Sequence, residues 1–454
     1  MAKGNGGRPR AFRLGAMAAA ALVVGACGGV GSGAGDGAAG ELTTMGFGVG
    51  DEIARTRVDL ADKAIAPGTV KIAGGAFDAQ QFLSAVASGT APDLIYLDRQ
   101  LVGTYAARGV LEPLADCVAK HQVDLTQYRP AALGELTLGG KLYGLPESYD
   151  NRLLLVNDTV VRQAGLSPAQ VDPADRPALT AAAKALTGRV PGGALSRIGF
   201  DPKLPEFFPL WARANGVQIL SDDGLKANLD DPKAVQALEY AVSLINEQGG
   251  WGAVKALRDS FDFFGAGNPF AKNQLGASLM DDWYLNVLAQ YSPGVKVTAA
   301  PFTGPGGKPV DWVTGSTWAI PAGSKHKDQA CTWIKTMTGA PAWIAAAQVR
   351  ADARRAAGKP FTGVYTGNRV ADERIFGGIV QLKDHPVFDA AVNVVLKAQD
   401  SAFSMPASPA GSEFKTAWQN AVNRVLSGQQ SPAQALAQAQ QEAQHALDTA
   451  AAHR

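Results

Sequence analysis

The chain has 454 residues, a formal net charge of +1 and 46 % hydrophobic residues. That length exceeds one ordinary hydrophobic core and suits two domains, and the mixed composition is that of a globular body. The near-neutral charge argues against nucleic acid, whose binders carry a basic footprint.

In chain order, "MAKGNGGRPRAFRLG" carries Lys3, Arg8, Arg10 and Arg13 and no acidic residue. The stretch "AMAAAALVVGA" follows, short, apolar and uncharged. A basic segment, a short apolar segment and small residues before a cut predict an export signal over residues 1–26. The apolar run is too short to cross a bilayer, which takes about 20 such residues. No Arg-Arg pair points to the twin-arginine route. The ending Val24-Gly25-Ala26-Cys27 resembles a bacterial lipobox. That resemblance implies that Cys27 takes a diacylglycerol, becomes the first mature residue and holds the chain to the membrane by acyl chains alone. Residues 27–40 are glycine-rich and read as a flexible tether. No second long apolar run follows, so nothing after Cys27 is predicted to span the membrane.

"ELTTMGF" reads as a strand and turn, and "DEIARTRVDLADKAI" as an amphipathic helix. "TVKIAGGAF" is a second strand. "DAQQFLSAVASG" is a helix with Asp78 as N-cap and Gly89 at its stop. "APDLIYL" is a third strand, followed by a helix in "RQLVGTYAARGVLEPL". Strands alternating with helices of this length predict an α/β fold with a parallel, two-faced sheet. From about Val156 to Val297 helices dominate, among them "PALTAAAKALTG", "FPLWARANG" and "DPKAVQALEYAVSLINEQGG". Asp231-Pro232 opens the last of these. "QLGASLMDDWYLNVLAQY" and "VKVTAAPF" return short apolar runs. "PFTGPGGKPVDW" reads as a crossing linker. "DWVTGSTWAIPAGS" and "KDQACTWIKTMTG" restore strand and helix. The C-terminal stretch is two helices broken at Ser427-Gly428 and Ser431-Pro432.

Two cysteines remain, Cys117 and Cys331. In an exported chain they can bridge or stay two separate buried thiols, and spacing does not decide between these. No metal pattern appears in the cysteines or the five scattered histidines, and no cofactor is expected. Gly46-Phe47-Gly48-Val49-Gly50 approaches a dinucleotide fingerprint, but Asp51 stands where the third glycine belongs. A carboxylate there would repel a pyrophosphate, so the glycines read as a turn. No Gly-x-Ser-x-Gly elbow, His-Glu-x-x-His motif or Gly-x(4)-Gly-Lys-Ser/Thr loop occurs, and the chain reads as a non-enzyme.

"FLSAVASGTAPDLIYLDRQLVGTYAARGVLEPL", "LYGLPESYDNRLLLVNDTVVRQAGL", "LSDDGLKANLDDPKAVQALEY", "GASLMDDWYL" and "VTGSTWAIPAGSKHKDQACTWIKTMTG" together, in this order, resemble the family 1 extracellular solute-binding proteins of bacterial ABC importers. That class includes maltose-binding protein. The resemblance implies a two-lobe, periplasmic-binding-protein-like (type II) α/β fold with a hinge and an interlobe ligand cleft. One lobe would hold residues 41–151 plus 312–397, the other 152–311 plus 398–454. It also implies a monomeric receptor on the outer face of the membrane. That receptor would take up a sugar and hand it to the permease subunits of an importer.

Sugar hydroxyls ask for carboxylate, guanidinium and amide partners, and the sugar's C–H face packs on an aromatic plane. Asp98-Arg99 follows the third strand, at the end that faces the crevice in open α/β sheets, and resembles pairs that serve ligand hydroxyls in the maltose-binding branch. Tyr149, Asp150 and Asn151 fall at the expected first crossing. By the resemblance, Trp283 after "LMDD" stacks on ligand, with Asp282 as its partner. Gly315 and Ser316 lie at the return into the first lobe, where small residues let backbone donors approach. Trp312 and Phe47 complete the expected site. Trp211, Trp251, Trp333, Trp343 and Trp418 read as packing. Two alternatives stay open. One is a non-sugar solute such as a glycerophosphodiester or an amino-acid derivative. The other is a lipid-anchored glycoside hydrolase using Asp98 and Asp282 as its two carboxylates.

Overall fold

The computed structural model describes residues 40–452. The export signal, Cys27 and the tether up to residue 39 lie outside the described residues.

The first strand, Glu41–Met45, ends at Gly46, whose φ of +92° and close approach to the Tyr96 carbonyl leave no room for a Cβ. The chain turns there and starts the helix Glu52–Ala64 at Asp51, whose Oδ1 accepts from the Ala54 N–H at 2.9 Å. Such a cap is worth about 1 kcal/mol. Asp51 is thus a helix cap where a dinucleotide site would need glycine. The helix buries Ile53, Ala54, Arg57, Val58 and Ala61, one stripe at helical spacing. Asp78 and Asp231 cap their helices as the sequence predicts.

Two five-stranded sheets organise the chain into two lobes. The first runs Thr69–Lys71, Glu41–Met45, Leu94–Asp98, Ser316–Ala319, Leu145–Pro146. Its first three strands are parallel, and Ser316–Ala319 is antiparallel to both neighbours. The second runs Val297–Pro301, Arg152–Asn157, Leu275–Asp281, Leu195–Asp201, Gly188–Arg189. Arg152–Asn157 is buried at every position, as a strand covered on both faces must be. Leu195–Asp201 was not anticipated from the sequence, where helices were expected to dominate. Its "LSRIGFD" mixes polar and apolar residues, and only its second half is buried.

The chain crosses between the lobes near residues 147–151 and 302–315, where Asp150 and Thr314 bridge. A short parallel pair, Asp311–Trp312 with Ala402–Phe403, marks a further passage. The helix Pro386–Ala398, expected in the first lobe, packs instead against Val297–Pro301 and Arg152–Asn157 of the second sheet. It does so through Phe388, Ala391, Val392 and Val395, a stripe matched to that sheet's core. Trp312, expected in the ligand site, is buried in the same core, edge-on to Phe207 at 6.5 Å and under the Arg152 guanidinium. Cys117 and Cys331 form a disulfide with Cα atoms 5.7 Å apart. No helix among the described residues is long and apolar enough to cross a membrane.

Candidate functional site

Between the lobes lies a cavity of about 620 Å³. That is in the size range of small-molecule sites, roughly 300–1,000 Å³. The first lobe contributes the turn at Phe47, the start of the helix Glu52–Ala64, Tyr96, Glu147 and the faces of Trp343 and Arg350. The second lobe contributes Asp282, Trp283 and Asn286 from the end of the Leu275–Asp281 strand and the helix after it. Asp150 and Tyr365 close the hinge side. A cavity of about 610 Å³ elsewhere, beside Arg213 and the loop Gly304–Pro309, offers the aromatic ring of Phe403 only with Arg213 over it, at 5.1 Å.

Of the expected residues, the cavity gathers Phe47, Asp150, Asp282 and Trp283. The Phe47 ring packs on Tyr96 and Trp318 at 5.1 and 4.9 Å. Trp283 follows the strand end and stays 36 % exposed. Its ring lies 12° from parallel to that of Phe264, centroids 5.7 Å apart. Asn151 stands behind the wall. Its side chain is buried, and its N–H and Nδ2 donate to Asp282 Oδ2 at 2.8 and 2.6 Å. Asn151 therefore aims Asp282 and does not face the cavity.

Five expectations give way to the geometry. Asp98 accepts from Lys415 Nζ at 2.6 Å and from the Gln100 N–H at 3.3 Å, outside the cavity. Arg99 is fully buried, paired with Glu135 at 2.6 Å and donating to the Ser148 carbonyl. Burial pushes Glu135 up to about 7 in spite of Arg99. Tyr149 is buried with the Arg129 and Arg99 guanidiniums 4.8 and 5.8 Å from its ring. Gly315, at φ +153°, sits against the Ser148 carbonyl and Arg99 Nη1, so its lack of a Cβ serves the crossing and not a ligand. Ser316 pairs in the sheet opposite Asp98, and its N–H donates to Ser148 Oγ at 3.1 Å. The hydrolase pairing fails on the same ground, because Asp98 is committed to Lys415 and does not face Asp282 across the cleft. Asp98→Ala is expected to cost at most about 1 kcal/mol, as for other part-exposed ion pairs. It should leave ligand affinity unchanged, as titration of variant and parent would show.

The sequence reading missed Arg57, Glu147, Trp343, Arg350 and Tyr365. Arg57 lies over the Trp343 ring at 3.6 Å, donates to Glu147 Oε1 at 2.6 Å and also donates to the Ile53 and Met337 carbonyls. Glu147 Oε2 accepts from Trp318 Nε1 at 3.1 Å. Arg350 is held by Asp51 and by Glu52 at 2.7 Å. A signal for two of them was present. Trp343 and Arg350 are seven residues apart in the Ala340–Ala356 helix, hence on one face, in an otherwise alanine-rich stretch.

Charge in the cavity is uneven. Burial, with Asp281 and Asp98 adding to it, pushes Asp150 up to about 6 against the pull of Arg152 and Arg99. Burial and the charge of Asp150 raise Asp282 well above the ordinary carboxylate range, against its bonds from Asn151. Burial raises Glu147 too, opposed by Arg57 and Trp318. Among the described residues no group of three or more metal-ligating side chains is assembled.

Residues 69–342 match the family model described as bacterial extracellular solute-binding protein, and the chain belongs to that family. Its members are extracytoplasmic binding proteins and not enzymes. The mannobiose-bound CpMnBP1 is 26 % identical, with a TM-score of 0.71 over 89 % of this chain and all of that one. The arabinooligosaccharide-binding protein of Bacillus subtilis is 23 % identical over 284 residues, 61 % of this chain. The match spans 63 % of that curated relative's length. The Mycobacterium tuberculosis UgpB complex with glycerophosphocholine shares the fold, at 19 % identity and a TM-score of 0.69 over 91 % of this chain and 99 % of that one.

Proposed function

We propose that this chain is a lipid-anchored receptor that captures a carbohydrate in the interlobe cleft and delivers it to the permease of an ABC importer. Cys27 is its anchor, and it acts as a monomer without a cofactor. The lobes comprise residues 41–151 with 312 to about 380, and 152–311 with the remainder. The carrying observation is the wall formed by Trp283 and Asp282, a part-exposed aromatic ring stacked on Phe264 beside a carboxyl group fixed by Asn151. A sugar ring needs both: a plane for its C–H face and an acceptor for its hydroxyls. CpMnBP1, which binds mannobiose, supports a saccharide ligand.

A glycerophosphodiester is the weaker reading. Its phosphate would need a free cation, and both arginines of the cavity are already paired, Arg57 with Glu147 and Arg350 with Asp51 and Glu52. Calorimetric titration of the purified protein against sugars, polyols and charged metabolites tests the proposal. A saturable signal from a saccharide is expected. Trp283→Ala should weaken it by about 1.5–3 kcal/mol, tenfold or more, the scale of one aromatic face returned to water. Because Trp283 is part-exposed, its loss should leave the unfolding midpoint nearly unchanged. A signal from a phosphodiester alone would discard the sugar, and silence across the panel would discard the receptor.

A further inference from the structure

We infer that the saccharide selected by this cleft carries a protonated amine, so that its ligand class is the amino sugars and their oligomers. The inference rests on the receptor reading above and concerns what that one site prefers.

The argument starts from which charges are spent. Arg57 is occupied by Glu147, by two backbone carbonyls and by the face of Trp343. Arg350 is occupied by Asp51 and Glu52. What remains is a pair of carboxylates, Asp150 and Asp282. Asp282 Oδ2 takes both Asn151 donors, and Oδ1 has no hydrogen-bond partner among the described residues. Asp150 Oδ2 takes only Ser148 Oγ, at 3.5 Å. Arg152 lies behind them. Its guanidinium donates to the Asp150 carbonyl and to Thr314, and pairs with Asp281 at 2.9 Å. Arg99 behind Asp150 is committed to Glu135, while Asp98 and Asp281 add negative charge. The cavity therefore offers its ligand two acidic side chains with unpartnered oxygens, while each of its arginines already has a carboxylate partner.

Two further groups point to an occupant. Tyr365 Oη and Trp343 Nε1 belong to buried residues that line the cavity, and neither atom has a hydrogen-bond partner. A buried polar atom left without a partner costs about 1–3 kcal/mol; both atoms are closed to solvent in this structure, so a ligand recovers that cost where these side chains shift to meet it. Nε1 can only donate, which suits a hydroxyl or ring oxygen. Tyr365 Oη can donate or accept, and burial, with the nearby Asp282 adding to it, raises it. Donors for hydroxyls, a ring face at Trp283 and a carboxylate pair together describe a polyol with a positive centre.

An ammonium satisfies this pair better than the alternatives. Its charge-assisted bonds are roughly twice as strong as those of a neutral hydroxyl, and it offsets the repulsion between the carboxylates. A uronate or sugar phosphate would bring negative charge against two groups that burial already holds toward the protonated form. Calcium asks for six to eight oxygens, and two free carboxylate oxygens fall short. Proton linkage gives the reading an independent signature. Asp150, at about 6 in the unliganded protein, is partly protonated near that pH. An ammonium favours the ionised form, so binding expels protons and affinity for an amine rises with pH through that region.

The test is calorimetric titration at pH 6 in two buffers of different ionisation enthalpy. The probes are matched pairs: glucosamine with glucose, galactosamine with galactose, mannosamine with mannose, and the β-1,4-linked glucosamine disaccharide with cellobiose. For at least one pair the amino member should bind tenfold or more tighter than its neutral partner, with net proton release. Asp282→Asn should erase that preference, whereas Trp283→Ala should weaken both members alike. If neutral members bind as tightly as their amino partners without proton release, the amine is overturned and the sugar receptor stands. If no pair binds but another neutral saccharide of the wider panel does, the amine is overturned and the sugar receptor stands, and if no saccharide binds at all, both readings fall.

Discussion

Arg57→Ala should lower the unfolding free energy by about 3–5 kcal/mol, the usual cost of removing one partner of a buried ion pair. Arg57 and Glu147 are both buried in this structure, each side chain about 3 % exposed. The loss is threefold. Glu147 keeps only Trp318 Nε1, the Ile53 and Met337 carbonyls lose a donor, and the Trp343 face loses its cover. The deficit should depend on pH. Burial already raises Glu147 above the ordinary carboxylate range in the folded protein. A folded carboxyl raised in this way binds more protons than the unfolded chain, so stability falls as pH rises from the unfolded value through the folded one. Without Arg57 the folded value moves higher and the window widens upward. Urea unfolding should therefore show a smaller deficit at pH 5 than at pH 8. An equal deficit at both would mean that Glu147 stays ionised without its partner. Arg57→Lys keeps the charge but loses the planar cover of Trp343, and should fall between.

This pair also shows where sequence reading stops. Strand and helix order in the first lobe was legible because short apolar runs alternate with capped helices, as at Asp51 and Asp78. Leu195–Asp201 was not legible, because its polar first half gives no period. Trp283 and Asp282 were legible because the strand they follow is a continuous apolar run that must end at an edge. Asp98 and Arg99 follow a strand just as plainly, yet Lys415 and Glu135 claim them, 317 and 36 residues away along the chain. Spacing near a residue cannot announce a partner at that separation. The same holds for Arg57 and Glu147, 90 residues apart, which the fold brings together under Trp343. Local pattern finds the residues that stand free at an element's end, and distant pairing decides which of them stay free.

Replacing Cys117 and Cys331 together with alanine should cost about 3–5 kcal/mol, near the upper range for a disulfide closing a long loop. The two cysteines are 214 residues apart, and all five strands of the second sheet lie between them. The bridge joins the helix Ala115–Lys120 to Lys327–Thr338, both in the first lobe. It therefore encloses every strand of the second sheet, though not the C-terminal helices that pack on that lobe, and ties the first lobe together on either side of those strands. Beside the bridge, Lys120 pairs with Asp328 at 2.7 Å, an exposed ion pair worth little alone. Ligand affinity should not change, because neither cysteine lines the interlobe cavity. Hydrogen exchange should place the loss in the first lobe, with faster exchange around Lys327–Thr338 and little change in Arg152–Asn157. Uniform loosening of both lobes would show that the bridge acts on their union and not on one of them. Such a bond persists in oxidising surroundings and is rare where thiols are kept reduced. A receptor that works outside the membrane can keep it.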